Sequence, residues 1–78
     1  MSKYLLQHLR PSNRVTYDRS VVESLSFNAK DHEEACAEAG DIIFADEKPG
    51  DTFELSFNDK NIDCYALQER AQKLNVAG

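Results

Sequence analysis

His32 and Cys36 stand four residues apart, and His8 and Cys64 are the chain's other histidine and cysteine. On a helix that spacing puts an imidazole and a thiol on one face, which is half of a zinc site. The same two types could serve as a nucleophile and its base. The surrounding pattern argues against both uses. No pair has a knuckle spacing such as C-x-x-C, no local signature marks a nucleophile, and Cys36 points with neighbouring alanines into an apolar stripe. The expectation is therefore no metal ligand, no catalytic residue and no cofactor. Cys36 and Cys64 read as two buried free thiols, with a bridge between helix and C-terminal segment as the alternative.

The carboxylates offer many acid–base pairs, but no spacing singles out two of them. The three glycines, Gly40, Gly50 and Gly78, are not grouped as phosphate-binding loops require. A chain of 78 residues also seldom folds around a deep cleft. A non-enzymatic protein follows as the expectation.

Charge is the stronger signal. Residues 1–30 carry five basic and two acidic side chains, a balance of +3. Residues 31–63 carry two basic and eleven acidic, a balance of −9, and residues 64–78 add +1, which gives the net −5. The acidic block, Glu33, Glu34, Glu38, Asp41, Asp46, Glu47 and Asp51, has only Lys48 to balance it between Asp31 and Glu54. A surface of mixed sign is the usual route to solubility, and a one-sign ribbon projects a field that a Lys/Arg-lined groove would attract. The plain alternative is the solvated outer face of a helix. Lys3, Arg10, Arg14 and Arg19, near Tyr4 and Tyr17, form the only basic region. They could touch nucleic-acid backbone, or be the solvated surface of a hairpin.

These residues need elements to hold them. Lys3 to Leu9 is a short apolar run that reads as a strand, and Arg10-Pro11-Ser12-Asn13 as the turn after it. Arg14 to Asn28 reads as a second strand, bent or bulged near Asp18–Ser20, with a short helix over 17–25 as the competitor. Asp31, with Glu34 three residues on, caps a helix. Ala35, Cys36, Ala39, Ile42 and Ile43 then share one inward stripe, which favours a continuous helix through Ile43. The rival ends the helix at Gly40 and makes the following DIIFA a strand. Pro49-Gly50 marks a turn, and TFELSF over 52–57 alternates as a strand. Asn58 to Asn61 reads as a turn or helix entry. Cys64, Leu67, Ala71 and Leu74 recur at helical spacing behind Asp63 as a cap, with a strand at 62–67 as the alternative.

The order β-β-α-β-α implies a single α+β domain over residues 1–78. A three-stranded antiparallel sheet would be covered by one amphipathic acidic helix, with a C-terminal helix at an edge or end. Composition fits: 41% of residues are hydrophobic and 29% charged, the balance of a folded chain. No apolar run approaches the roughly 20 residues that span a bilayer, and the first residues lack a signal-peptide pattern. A cytoplasmic, membrane-free protein is the default expectation.

SLSFNAK, the capped DHEEACAEAGDII, the Pro-Gly loop and TFELSF together resemble the plan of small phage-encoded inhibitors. The span is residues 22 to 57. In layout it is similar to a phage inhibitor of bacterial RNA polymerase, and in size and α+β build to several anti-CRISPR proteins. That resemblance implies no catalytic residues. It implies action by occupying a surface of a host protein or ribonucleoprotein complex, in some cases as an acidic mimic of nucleic acid. The basic first hairpin departs from a pure mimic.

The expected function is thus a protein-binding inhibitor acting through its acidic surface in a bacterial host, with anti-CRISPR activity as the leading version. The alternatives are a nucleic-acid or nucleoprotein binder using Lys3, Arg10, Arg14 and Arg19, and a small dimerisation module. A monomer and a homodimer are both compatible with the chain.

Overall fold

The computed structural model describes residues 1–11 and 19–77, with side chains through residue 75. Its elements are β1 (Ser2–Pro11), β2 (Arg19–Ala29), α1 (His32–Asp41), β3 (Thr52–Phe57), β4 (Lys60–Ile62) and α2 (Tyr65–Ala77). The strands form one antiparallel sheet in the order β2-β1-β3-β4. The α+β class and antiparallel sheet agree with the sequence reading, but there are four strands where three were expected. The added strand is β4. Asn58 and Asp59 take positive φ values of 52° and 64°, and Phe57 pairs with Lys60 across them. Two consecutive left-handed residues suit a two-residue hairpin, and Asn and Asp tolerate that conformation. Lys60 and Asn61 therefore continue as strand and do not lead into a helix.

β1 is the central strand and sets the layers. Tyr4, Leu6 and His8 alternate onto one face and are buried. Leu6 sits opposite Leu25 of β2 and Leu55 of β3, so all three share that face. Both helices pack there, and Ala29, Ala35, Ala39, Phe44, Phe53, Cys64 and Leu67 complete the core. Leu5 and Gln7 turn the other way, with Ser24 and Ser26 of β2 and Glu54 and Ser56 of β3. This mixture makes the second face polar, as a half-solvated antiparallel sheet requires. β2 is a strand, not the competing helix. Its register against β1 shifts between His8 and Leu9, which leaves Val22 as the extra residue of a bulge. The bend expected near 18–20 is thus displaced toward the middle of the strand. Arg10 and Pro11, expected in a turn, continue β1 and pair with Ser20 and Arg19, and residues 12–18, including the rest of that expected turn, lie outside the described residues.

α1 begins as expected. The Asp31 carboxylate accepts the Glu34 amide at 2.8 Å, and Glu34 Oε2 accepts the Lys30 amide at 3.0 Å. Its end differs from the expected run through Ile43. The helix stops at Asp41, and Ile42 turns extended, with φ −79° and ψ 123°. Ile43 is 80% exposed and leaves the inward stripe, while Phe44 enters the core. The rival strand is also absent: residues 42–44 belong to no sheet. Phe44 decides the matter, because only an early helix end lets its ring reach His8 and Phe53, both at 5.2–6.3 Å between centroids. A buried aromatic side chain outweighs one more turn of helix on a partly exposed Ile.

α2 carries Leu67, Ala71 and Leu74 against the core, with Cys64 buried just before it, as their spacing predicts. The Leu67 and Gln68 amides bond to the Cys64 carbonyl, so Cys64 and not Asp63 stands at the capping position. It packs against α1 and β3 on the covered face, where a position at an edge or end of the sheet was expected. Among the described residues no helix is long and apolar enough to cross a membrane.

Candidate functional site

Two polar regions deserve comparison: one is sealed in the fold and the other is open. The sealed one centres on Asp51. Lys48-Pro49-Gly50-Asp51 forms a turn in which the Asp51 amide bonds to the Lys48 carbonyl at 3.1 Å and Gly50 takes φ 93°. Pro followed by a left-handed Gly suits a type II turn. That turn aims the Asp51 side chain inward, where its residue is 1% exposed.

Three donors meet the Asp51 carboxylate. Arg10 gives a bidentate clamp, Nε to Oδ1 and Nη2 to Oδ2, both at 2.9 Å. His8 Nε2 donates to Oδ2 at 2.6 Å, and the Lys48 amide reaches the same oxygen at 2.9 Å. The Arg10 guanidinium, first among these, holds the carboxyl well below the usual carboxylate range, against the opposing effect of burial. The carboxylate in turn raises the guanidinium's pKa. Arg10 also binds the Asp46 carbonyl at 2.7 Å and reaches its carboxylate at 3.4 Å.

His8 is fully buried and lies near-parallel to Phe44 and Phe53, at 5.2 Å from each. With Nε2 donating to an ionised carboxylate, its Nδ1 lacks a partner among the described residues. An Asp–His pair is a familiar acid–base device, and here, with both side chains fully buried, it holds strand to loop.

A parallel tie closes the loop from α2. Arg70 pairs with Glu47, donates to the Ala39 carbonyl at 3.2 Å, and lies over the Phe53 ring at 4.1 Å. Glu47 also accepts the Phe44 amide at 2.7 Å. One arginine thus satisfies a helix-end carbonyl, neutralises a carboxylate and covers an aromatic face.

These ties divide the acidic ribbon inferred from sequence. Asp51 is withdrawn from the surface altogether, because three internal donors stabilise it more than water would. Glu47 is mostly covered and paired, and exposed Asp46 shares Arg10. Both leave the ribbon as free charges. Glu34 remains partly exposed but caps α1. Glu33, Glu38 and Asp41 are exposed, and among the described residues no ion pair reaches them. At about 100° per residue they span an arc of about 140° opposite Ala35 and Ala39.

The basic alternative is divided as well. Lys3 and Arg19 are exposed, Arg14 lies outside the described residues, and Arg10 is committed to Asp51 and Asp46. The histidine and cysteine pairs go separate ways. His32 Nδ1 bonds to the Tyr4 hydroxyl at 2.8 Å, and the Cys64 thiol donates to the Cys36 carbonyl at 3.6 Å. Both cysteines are free, but only Cys64 is buried as expected, and Cys36 is half-buried at the margin of the core. Burial, aided by the Cys64 thiol, pushes the Cys36 thiol up to about 12. Among the described residues no three His, Cys, Asp or Glu side chains gather as a metal site.

Sequence reasoning missed the roles of His8, Arg10, Asp51 and Arg70. The one local hint was Asp51 directly after Pro-Gly, where a turn can aim a carboxylate inward. Comparisons with protein-family models, curated proteins and solved structures each found no match for the chain.

Proposed function

We propose that this chain is a non-enzymatic binding domain that inhibits a nucleic-acid-handling protein or ribonucleoprotein complex of a bacterial host. The acidic outer face of α1 lies against a Lys/Arg-lined surface of that complex and competes with nucleic acid for it. An anti-CRISPR role is the leading version, and inhibition of RNA polymerase is the next. The observation that carries the reading is the contrast within the carboxylates. Glu47 and Asp51 are neutralised internally by Arg70 and Arg10, whereas Glu33, Glu38 and Asp41 stand exposed on one helix without a basic partner among the described residues. α1 itself is anchored by its cap, by Ala35 and Ala39 in the core, and by Arg70 at its end. A rigid helix presents its charges at little entropic cost on binding.

The test is capture of partners from a nuclease-treated bacterial lysate by the natural chain and by the triple variant Glu33→Lys, Glu38→Lys, Asp41→Lys. The expected result is a captured nucleic-acid-handling complex that the triple variant loses, with capture by the natural chain weakening as salt rises. Equal capture by both folded chains would sink the reading. A gel shift with single- and double-stranded probes distinguishes direct nucleic-acid binding.

A further inference from the structure

The outer edge of β2 is a second surface, made of backbone and not of charge. β2 is the terminal strand of the sheet, and its residues are exposed except for Val22, Phe27 and Ala29. Among the described residues nothing pairs with its outer edge. A strand edge presents unpaired amide N–H and carbonyl groups, and isolated domains usually guard it with Lys, Pro or a bulge. The β2 bulge lies at Val22 and leaves Glu23–Ala29 in regular register against β1. That segment, ESLSFNA, contains no Pro or Lys and only one charge, Glu23.

We propose that residues 23–29 of β2 pair antiparallel with the same residues of a second copy, about a two-fold axis at Ser26. The seven-residue segment is self-complementary in this register. Its midpoint is Ser26, so Leu25 faces the second copy's Phe27, and Phe27 faces its Leu25. Both residues lie on the helix-covered face, where Leu25 is 41% exposed and Phe27 already stacks on Tyr4. Pairing covers these apolar side chains twice over, once on each side of the axis.

On the other face Ser26 meets Ser26 and Ser24 meets Asn28, all able to exchange hydrogen bonds. The two Glu23 carboxylates fall at opposite ends of the contact. Each lies opposite the second copy's Ala29 on the helix-covered face, so no like charges meet across the contact. Neighbouring registers fit less well. Centring on Leu25 sets Glu23 against Phe27, and centring on Phe27 sets Glu23 against Asp31. The product is an isologous dimer with one eight-stranded sheet and both helix layers on the same side. The contact uses none of Glu33, Glu38 and Asp41, so it stands independently of the acidic face.

Light scattering across a dilution series of the full chain tests this. The expected mass is twice that of the monomer, falling toward the monomer on dilution. Leu25→Lys, which sets an ammonium group against the second copy's Phe27, and Ser26→Pro, which removes an edge N–H, should each give the monomer mass. Ile43→Lys, at an exposed apolar residue away from the edge, should keep the doubled mass. Circular dichroism identifies variants that fold, and Leu25→Lys carries the test if Ser26→Pro does not. A second readout needs no variant: amide exchange within residues 23–29 should slow as concentration rises. A monomer mass at every concentration, a doubled mass in folded Leu25→Lys, or exchange independent of concentration would each overturn the proposal.

Discussion

Arg10 and Asp51, 41 residues apart in the chain, are joined by two hydrogen bonds of 2.9 Å, one to each carboxylate oxygen. The pair ties the central strand to the loop before β3, and it turns one member of the acidic block into a structural element. Removing the carboxylate leaves the guanidinium, the His8 Nε2–H and the Lys48 amide short of an acceptor. Asp51→Ala should cost about 2–3 kcal/mol in urea unfolding, below the full buried-pair value because the Arg10 side chain stays 29% exposed. An effect under about 0.5 kcal/mol would show that the clamp is incidental.

The same pair sets the acid limb of stability. Arg10 depresses the Asp51 pKa in the folded state, so the carboxylate contributes stability wherever pH exceeds its unfolded value of about 4. As pH falls below that, the unfolded chain takes up the proton first. The contribution then erodes and is lost as pH passes through the folded pKa. The stability gap between the natural chain and Asp51→Asn should be constant near neutrality and narrow below about pH 4. Urea midpoints at a series of pH values measure it, and a gap that does not narrow in acid would contradict the assignment.

Gly40 tests the packing of α1 on α2. Helix propensity alone predicts that Gly40→Ala gains about 1 kcal/mol. A Cβ at Gly40 would sit 2.9 Å from Ala66 Cβ, which is fixed to the α2 backbone and cannot rotate away. Overpacking of this kind costs about 1–3 kcal/mol, so the net sign should be destabilising. A higher melting temperature for Gly40→Ala would mean that the helices separate easily.

Arg70→Lys keeps the charge but loses the planar contact with Phe53 and the two-branched reach to Glu47 and the Ala39 carbonyl. A loss of about 1 kcal/mol is expected, and about 2 kcal/mol for Arg70→Ala, read by chemical unfolding. Equal stability of Arg70→Lys and the natural chain would reduce the role of Arg70 to simple charge pairing.

Cys36 should resist thiol reagents in the folded protein. With its pKa pushed up to about 12, chiefly by burial, little thiolate exists near pH 8. Alkylation followed by mass spectrometry should find it slow in buffer and fast in urea. Rapid modification of the folded chain would contradict the raised pKa of this half-buried thiol.

Much of the scaffold follows from local pattern. The Asp31–Glu34 cap, the alternation in TFELSF, the apolar positions of α2 and the Pro-Gly turn are decided within a few residues, and the fold keeps each of them. The exposure of Glu33, Glu38 and Asp41 was also legible, because helix periodicity alone sets them opposite Ala35 and Ala39. The missed β4 hairpin has a local cause in Asn58 and Asp59, but the other failures share a long-range one. Whether α1 continues to Ile43 depends on Phe44 finding His8 and Phe53 across the sheet. Whether Asp51 is a surface charge depends on Arg10, and whether Glu47 is free depends on Arg70. Such partners are brought together by tertiary packing between distant segments, and in a small core one buried aromatic ring or one bidentate ion pair outweighs local propensity. The sequence by itself determined most of the elements and the sign of the charge. Only the tertiary structure decided which charges remain outside.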